Sequence, residues 1–342
     1  MNDSIRSLSH ALTEARQHVW RLMKFHGTRT SLYGKAYGRL IRSSVEKRHG
    51  NPPLSVYIEL TNLCNSDCTI CPRKIMTRKK GVMSMSLFRR VVDECAGMGV
   101  KYAVLQMFGE PFMDKAFLEK ARYAKAKGLK TSIYTNGSLL DEGKIRAIVA
   151  EGLLDHMVFS IDGVNEEEYG KNRRKLDFAT VEANLYALLA ERNRARTKTP
   201  KVKVHCAHLP RVHYDICSYR EKWEPVADGV SFTPARDWGG QLKGVSAIKK
   251  PDKRFPCFLL WNQFYVLWDG RATFCSVDFD GRHVVGDVRE QSLASLWQGE
   301  GINAIRKQHL DNRMNRHPLC GQCVYSTHEK TWWWHDAEEL LF

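Results

Sequence analysis

Of the ten cysteines in this 342-residue chain, seven fall into two groups. Cys64, Cys68 and Cys71 lie within eight residues, in the run Leu-Cys-Asn-Ser-Asp-Cys-Thr-Ile-Cys-Pro. Three thiolates so close together can grip three corners of a cubane iron–sulfur cluster. Most protein [4Fe–4S] clusters take four thiolates, so three leave one iron open to something other than protein. Cys257, Cys275, Cys320 and Cys323 form the second group, two before a helical stretch and a Cys-x2-Cys after it. They can supply all four thiolates of a second cubane. Zinc is the alternative for either group. Structural zinc sites usually show two Cys-x-x-Cys pairs or Cys/His pairs, and the first group has no fourth ligand close in sequence.

These loops need rigid elements to hold them. From residue 55 the chain alternates short apolar runs with helical stretches. Strands are predicted at 55–61, 102–108, 130–135, 156–161, 201–207 and 229–234, and helices at 85–98, 114–127, 141–151, 179–193 and 213–222. Six strand–helix alternations imply parallel strands with right-handed crossovers. Six units are too few for a closed eight-stranded barrel, so the expected class is α/β with an open, partial (β/α)6 barrel. Ligands bind at the carboxyl ends of such strands. After residue 250 the pattern changes. Strands at 262–268 and 271–275 joined by Asp269-Gly270 read as a hairpin, and a helix is expected from Ser292 to Gln308.

The Cys-x3-Cys-x2-Cys loop directly after a first strand resembles the radical S-adenosylmethionine (SAM) superfamily. In that family the open iron binds the amino and carboxylate groups of SAM, and reductive cleavage yields a 5′-deoxyadenosyl radical that abstracts hydrogen from a substrate. The second strand ends in Phe108-Gly109-Glu110-Pro111, which is similar to the family's Gly-Gly-Glu-Pro motif for the SAM amino group. Asn136, in Thr135-Asn136-Gly137, and Ser160 and Asp162, in Ser160-Ile161-Asp162-Gly163, resemble segments that contact SAM. Arg173 resembles the arginine that pairs with the SAM carboxylate, a contact suited to a guanidinium. Ile70 departs from the aromatic residue often found before the third cysteine. Cys257, Gly270 and Cys275 resemble the start of the SPASM auxiliary-cluster domain. With only Cys320 and Cys323 to follow, the set looks like its shortened "twitch" form, with one auxiliary cluster. The resemblance implies a [4Fe–4S] cluster with SAM, a second [4Fe–4S] cluster, and three regions: a basic helical extension (1–52), the barrel (53–245) and a small α+β auxiliary-cluster domain (246–342).

The preferred reaction is oxidation of a small molecule, such as a sugar or cyclitol. The radical takes hydrogen from a carbon bearing a hydroxyl or amine, a base removes a proton, and the auxiliary cluster accepts the remaining electron. His205 and Asp237 are the candidate bases, with Arg236 as a substrate contact on the same rim. Strand alternation puts Lys203, His205 and Ala207 on one face and Val202, Val204, Cys206 and His208 on the other, and one of these faces lines the lumen. An epimerase using Cys206 as hydrogen donor is an alternative, and a peptide maturase is another.

No apolar run reaches the roughly 18–20 residues that span a bilayer. The charged N-terminal stretch lacks an apolar signal core, so a reducing, cytoplasmic setting is expected, where cysteines serve metals rather than disulfides. The net charge is +15, and residues 1–50, with ten Lys/Arg and three Asp/Glu, hold +7 of it. A basic excess attracts anionic partners. Nucleic acid is not expected among them. An electron donor such as flavodoxin or ferredoxin is.

Overall fold

The structure is a computed structural model describing residues 31–210, 212, 214–247 and 254–324, with residues 31–37 described by backbone alone. The chain divides after His49 into two compact units. In the first, α1 (Ser31–Lys47) is a helix of the basic extension, whose residues 1–30 lie outside the described residues.

In the second unit, strands and helices alternate as the apolar pattern requires. The strands are β1 (Ser55–Ile58), β2 (Tyr102–Val104), β3 (Lys130–Thr135), β4 (His156–Ser160), β5 (Lys201–His208) and β6 (Gly229–Pro234). The helices are α2 (Met85–Gly97), α3 (Phe117–Ala126), α4 (Glu142–Ala150), α5 (Glu166–Asn172), α6 (Phe178–Arg194) and α7 (Ile216–Trp223). Helix starts are fixed by side-chain caps. Ser84, Asp141, Asn165, Asp177 and Asp215 each accept a hydrogen bond from a backbone N–H in the first turn that would otherwise lack a partner. The short α5 was not expected. Three glutamates follow Asn165 directly, an arrangement that suits a helix N-terminus more than an apolar pattern would reveal.

Strands β1 to β6 pair in parallel, each beside the next. Then β7 (Gln263–Val266) pairs in parallel with the other side of β1, and β8 (Arg271–Thr273) and β9 (Val284–Asp287) add antiparallel strands beyond it. Among the described residues nine strands thus form one sheet, ordered β6-β5-β4-β3-β2-β1-β7-β8-β9. The first strand of the C-terminal segment thus continues the barrel sheet. The single helix expected over 292–308 is two, α8 (Leu293–Gln298) and α9 (Glu300–Leu310). Gly299, extended between them, interrupts the helix.

Register assigns the two faces of the sheet. Val56, Ile58, Val202, Val204 and Cys206 are buried on the helix-covered face, where Tyr219 of α7 meets Phe232 of β6 with ring centroids 5.7 Å apart. Tyr57, Tyr134, Ser160, His205 and Ser231 fall on the opposite face, which lines the lumen.

Candidate functional site

The three-cysteine loop leaves β1 and is held from four directions. The guanidinium of Arg73 donates to the carbonyls of Asn62 (3.3 Å), Ser66 (3.0 Å) and Cys64 (3.4 Å), wrapping the loop around one side chain. The Asn62 amide spans Lys79 O and Gly81 N, both at 2.9 Å, closing the segment that follows. From β2, the N–H of Glu110 donates to Leu63 O at 2.8 Å. Gly109 lies so close that an added Cβ would stand 2.5 Å from the carbonyl oxygens of Thr61 and Leu63, and its φ of +79° favours glycine as well. From α5, Asn172 accepts from Thr69 Oγ1 (2.6 Å) and Ile70 N (3.3 Å). From the turn after β6, Trp238 Nε1 donates to Ile70 O at 2.8 Å.

The thiols themselves fit the resident of such a loop. None forms a disulfide. Ser66 Oγ lies 2.9 Å from Cys68 Sγ, and Ser66 N–H donates to Cys64 Sγ at 3.5 Å. Burial pushes the Cys64 thiol up and the Cys71 thiol to about 11, with the neighbouring cysteines adding to both shifts. Cys68 is buried and Cys64 and Cys71 half-buried; thiols that disfavour one another's ionisation are stabilised as thiolates by a positive metal centre, and three of them suit a cluster with one position left for another ligand.

The residues expected around SAM divide into three groups. Glu110 is buried and already occupied: Thr135 Oγ1 donates to it at 2.7 Å and Asn136 N–H at 2.8 Å, and burial raises its carboxyl to about 7. Asn136 turns its amide to Asn65 Oδ1 at 2.9 Å and stands 4.0 Å from Cys64 Sγ. Asp162 and Arg173 form one buried ion pair, with Arg173 Nη2 3.2 Å from Asp162 Oδ1. Asp162 also accepts from Ala207 N at 2.8 Å and from the Asn172 side-chain amide. Both of its oxygens accept from protein donors, and it holds Arg173 in place. Arg173 in turn aims Nη1 at Cys68 Sγ, 3.6 Å away. Ser160 stands on the lumen face beside His205 in register.

The candidate reaction residues separate as well. His205 faces the lumen, with Nδ1 2.8 Å from Ser231 Oγ and Nε2 3.5 Å from Thr233 Oγ1. Cys206 points the other way. It is fully buried under α7, where burial and the nearby Asp162 carboxylate drive its thiol well above the ordinary range. Its expected role as hydrogen donor in the lumen is therefore corrected: alternation defined two faces, and the helix covers this one. Arg236 and Asp237 line a cavity of about 100 Å³ with Met107, Phe108, Trp238 and Cys323, so the rim beyond β6 meets the second cysteine group. Asp237 Oδ1 accepts from Gly239 N at 3.1 Å, which also makes it a turn residue.

In the second group all four thiols interact. Cys257 is raised to about 11 by burial and by Cys323, and Cys320 to about 12 by burial and by Cys257 and Cys323. Cys275 rises well above the ordinary range through burial and the other three. Four cysteines so grouped, Cys320 buried and the other three half-buried, suit a four-thiolate metal centre. His309 Nδ1 accepts from Cys257 N at 3.1 Å. Tyr265, whose hydroxyl is raised by burial and the nearby Cys275 and Cys257, stacks on Tyr57 with centroids 5.0 Å apart. That stack spans β7 and β1, from the second cysteine group to the lumen. Beyond the ends of these two strands, Arg78 pairs with the buried Glu59 (2.7 Å) and donates to Phe279 O (2.6 Å), and Asp280 accepts from Thr77 N (2.7 Å). Arg73, Asn172, Trp238 and this network escaped sequence reasoning, because each acts across more than one element.

Comparison with known proteins agrees with this geometry. The chain matches the radical SAM superfamily over residues 58–199 and the SPASM iron–sulfur cluster-binding domain over residues 257–324. The latter favours iron–sulfur over zinc at the second group. The PqqA peptide cyclase of Rhizobium meliloti (strain 1021) is 32% identical over 313 residues, covering 75% of this chain and 76% of that protein. The S-adenosyl-L-methionine-dependent 2-deoxy-scyllo-inosamine dehydrogenase of Niallia circulans is 20% identical over 275 residues, covering 78% of this chain and 91% of that protein. The crystal structure of BtrN in complex with AdoMet and 2-DOIA superposes with a TM-score of 0.55 at 17% identity, over 81% of this chain and 98% of that one. Among the described residues no helix is long and apolar enough to cross a membrane.

Proposed function

This chain belongs to the radical SAM superfamily and carries a SPASM domain, and from that premise we propose that it oxidises a small hydroxyl- or amine-bearing molecule such as a cyclitol. The barrel domain binds a [4Fe–4S] cluster and SAM, and the SPASM domain binds a further iron–sulfur centre. Together they supply a hydrogen-abstracting 5′-deoxyadenosyl radical and an acceptor for one electron. Cys64, Cys68 and Cys71 hold the first centre, and Cys257, Cys275, Cys320 and Cys323 the second. Glu110 and Asn136 frame the amino end of SAM, Ser160 faces its ribose from the lumen, and Arg173, fixed by Asp162, meets its carboxylate beside Cys68. His205 takes the substrate proton at its Nε2, with Ser231 orienting the ring through Nδ1. Arg236 and Asp237 contact substrate at the rim.

The observation that carries this reading is the second thiol group. Burial and the neighbouring cysteines together raise Cys257, Cys275 and Cys320, and a centre held by all four thiols would keep no position for substrate, leaving electron acceptance as its use. The reduced enzyme should be incubated in D2O with 2-deoxy-scyllo-inosamine, the compound in the Niallia circulans relative's name. A ketone formed in step with 5′-deoxyadenosine supports the reading. Deuterium gained at the reacting carbon of an otherwise unoxidised product contradicts it.

The 32% identity to a peptide cyclase favours a second reading, modification of a peptide. Inertness toward aminocyclitols together with a new cross-link in a supplied peptide would establish that reading instead.

A further inference from the structure

Tyr57 of β1 faces the lumen with its hydroxyl already given a direction. Tyr265 Oη donates to Gln263 Oε1 at 2.5 Å, which leaves Gln263 Nε2 as the donor 3.5 Å from Tyr57 Oη. An amide nitrogen only donates, so the Tyr57 oxygen accepts and its own hydrogen is left for a partner in the lumen. Two further groups meet it there. Burial pushes the hydroxyls of Tyr57 and Tyr134 up, Tyr57 further so through Tyr134, while the Arg236 guanidinium draws Tyr134 back down. Such mutual effects need polar tips that lie near one another. Both phenols stay protonated, so both keep a hydrogen to give.

A guanidinium carries five N–H groups and accepts nothing. Two protonated phenols and a guanidinium facing one space therefore ask for a ligand rich in acceptors. Arg236 also lines the cavity of about 100 Å³ beside Phe108 and Trp238, and Tyr57 packs on the same aromatic cluster, so the donors sit against apolar walls where charged hydrogen bonds are strong. The nearby carboxylates are engaged with protein donors. Asp237, in the cavity lining, accepts from Gly239 N, Glu110 from Thr135 and Asn136, and Asp162 from Arg173 and Ala207. Along β5 the lumen face adds Lys203 and His205. The net charge of +15, which the chemistry above does not use, draws anions toward such a site. We infer that Arg236, Tyr134 and Tyr57 form a receptor for an anionic oxygen group on the substrate, a carboxylate or a phosphate. The inference rests on the small-molecule reading above and deepens it: the preferred substrate is a hydroxyl-bearing acid or phosphate ester rather than a bare aminocyclitol.

The test is equilibrium binding, measured by calorimetry on the anaerobic holoenzyme with SAM and without reductant, so that the result does not depend on turnover. The probes are myo-inositol 1-phosphate against myo-inositol and glucuronate against glucose, with 2-deoxy-scyllo-inosamine as the cationic ring. An anionic probe should bind about tenfold tighter than its neutral partner, and the pair that shows the preference tells phosphate from carboxylate. Arg236→Gln should cut that preference to about twofold or less, and Arg236→Lys, which keeps the charge without the planar fork, should retain part of it. Tyr57→Phe keeps the stack on Tyr265 and removes one donor. It should weaken the anionic probe by about tenfold, and it serves as the test if changes at Arg236 impair folding. Preference for a neutral or cationic ring overturns the inference, as does failure of both anionic probes to bind at millimolar concentration. A preference that survives both Arg236→Gln and Tyr57→Phe overturns it too. Tight anionic binding with no oxidised product after reduction would uphold the receptor and remove the oxidation reading instead.

Discussion

Trp238 Nε1 donates to the carbonyl of Ile70, the residue before the third cysteine, at 2.8 Å. The indole also meets Phe108 with ring centroids 5.6 Å apart, and it lines the cavity that Cys323 borders. One side chain in the turn after β6 therefore touches the first cysteine loop, the end of β2 and the edge of the second cysteine group. Ile70 departs from the aromatic residue common at its position in the family, and Trp238 brings an aromatic ring to its carbonyl instead.

Replacing Trp238 with Phe keeps a ring and removes the hydrogen bond, a loss of about 1 kcal/mol. Trp238→Ala removes the ring as well, and because the indole is only partly buried the loss should stay below the ~3–5 kcal/mol of a core tryptophan. Both variants should keep the first cluster. Both should produce more 5′-deoxyadenosine per product formed, Ala more than Phe, because the lumen wall above the loop is loosened. The check is the ratio of the two products; an unchanged ratio in Trp238→Ala would remove Trp238 from the account.

Arg173 and Asp162 form a buried pair, and removing one partner leaves an uncompensated charge. Arg173→Gln should therefore destabilise the protein by about 3–5 kcal/mol, and Asp162→Asn/Arg173→Gln by distinctly less. Denaturant unfolding of the three proteins measures the difference. Equal losses in the single and double variants would mean that the pair is not coupled.

Glu110 carries a pH prediction. Burial raises its carboxyl to about 7 from the ordinary 4.5. The folded state therefore keeps a proton that the unfolded chain gives up, and the stability this contributes is present below about pH 4.5 and lost as pH rises through about 7. The SAM amino group, bound to iron as a neutral amine, donates its N–H to the ionised carboxylate of Glu110, so affinity for SAM should fall about tenfold per unit as pH drops below about 7. Calorimetry on anaerobic protein tests this. Glu110→Gln should bind weakly with a flat profile, and a flat profile in the wild type would exclude Glu110 from the SAM site.

The contacts among the second thiols predict a division of labour. Cys275→Ala should leave SAM cleavage by the first site within about twofold of wild type and abolish substrate oxidation, because the electron has no acceptor. Measuring 5′-deoxyadenosine and oxidised product side by side checks it. Oxidised product from a variant confirmed to lack the second cluster would end the role proposed for that cluster.

Much of this was legible in the sequence because it is local. The cysteine spacings lie within loops of a few residues, and the apolar runs at 55–61, 102–108 and 201–207 became β1, β2 and β5. Alternation split β5 into two faces but could not say which one a helix would cover. Alternation leaves both His205 and Cys206 open as lumen residues, and burial beside Tyr219 of α7 sets Cys206 on the covered side. Pairing of β7 with β1 joins residues about two hundred positions apart, and no local pattern encodes such a partner. The same holds for Arg73, which serves the loop through backbone carbonyls that any sequence would supply, and for the Asp280 contacts with Thr77 and Arg78. The Asp162–Arg173 pair joins residues eleven positions apart, and the sequence shows the two residues but not the ion pair between them.

The central claim is that one chain carries two metal centres, one held by three thiols and one by four. Protein purified without oxygen should contain about eight irons and eight sulfides per chain. It should keep about four of each when Cys64, Cys68 and Cys71 are replaced by Ala, and about four when the other four cysteines are replaced instead. About four irons in the wild type, falling to none in the three-cysteine variant and accompanied by zinc at the second site, would contradict the account and remove the electron acceptor on which the proposed oxidation depends.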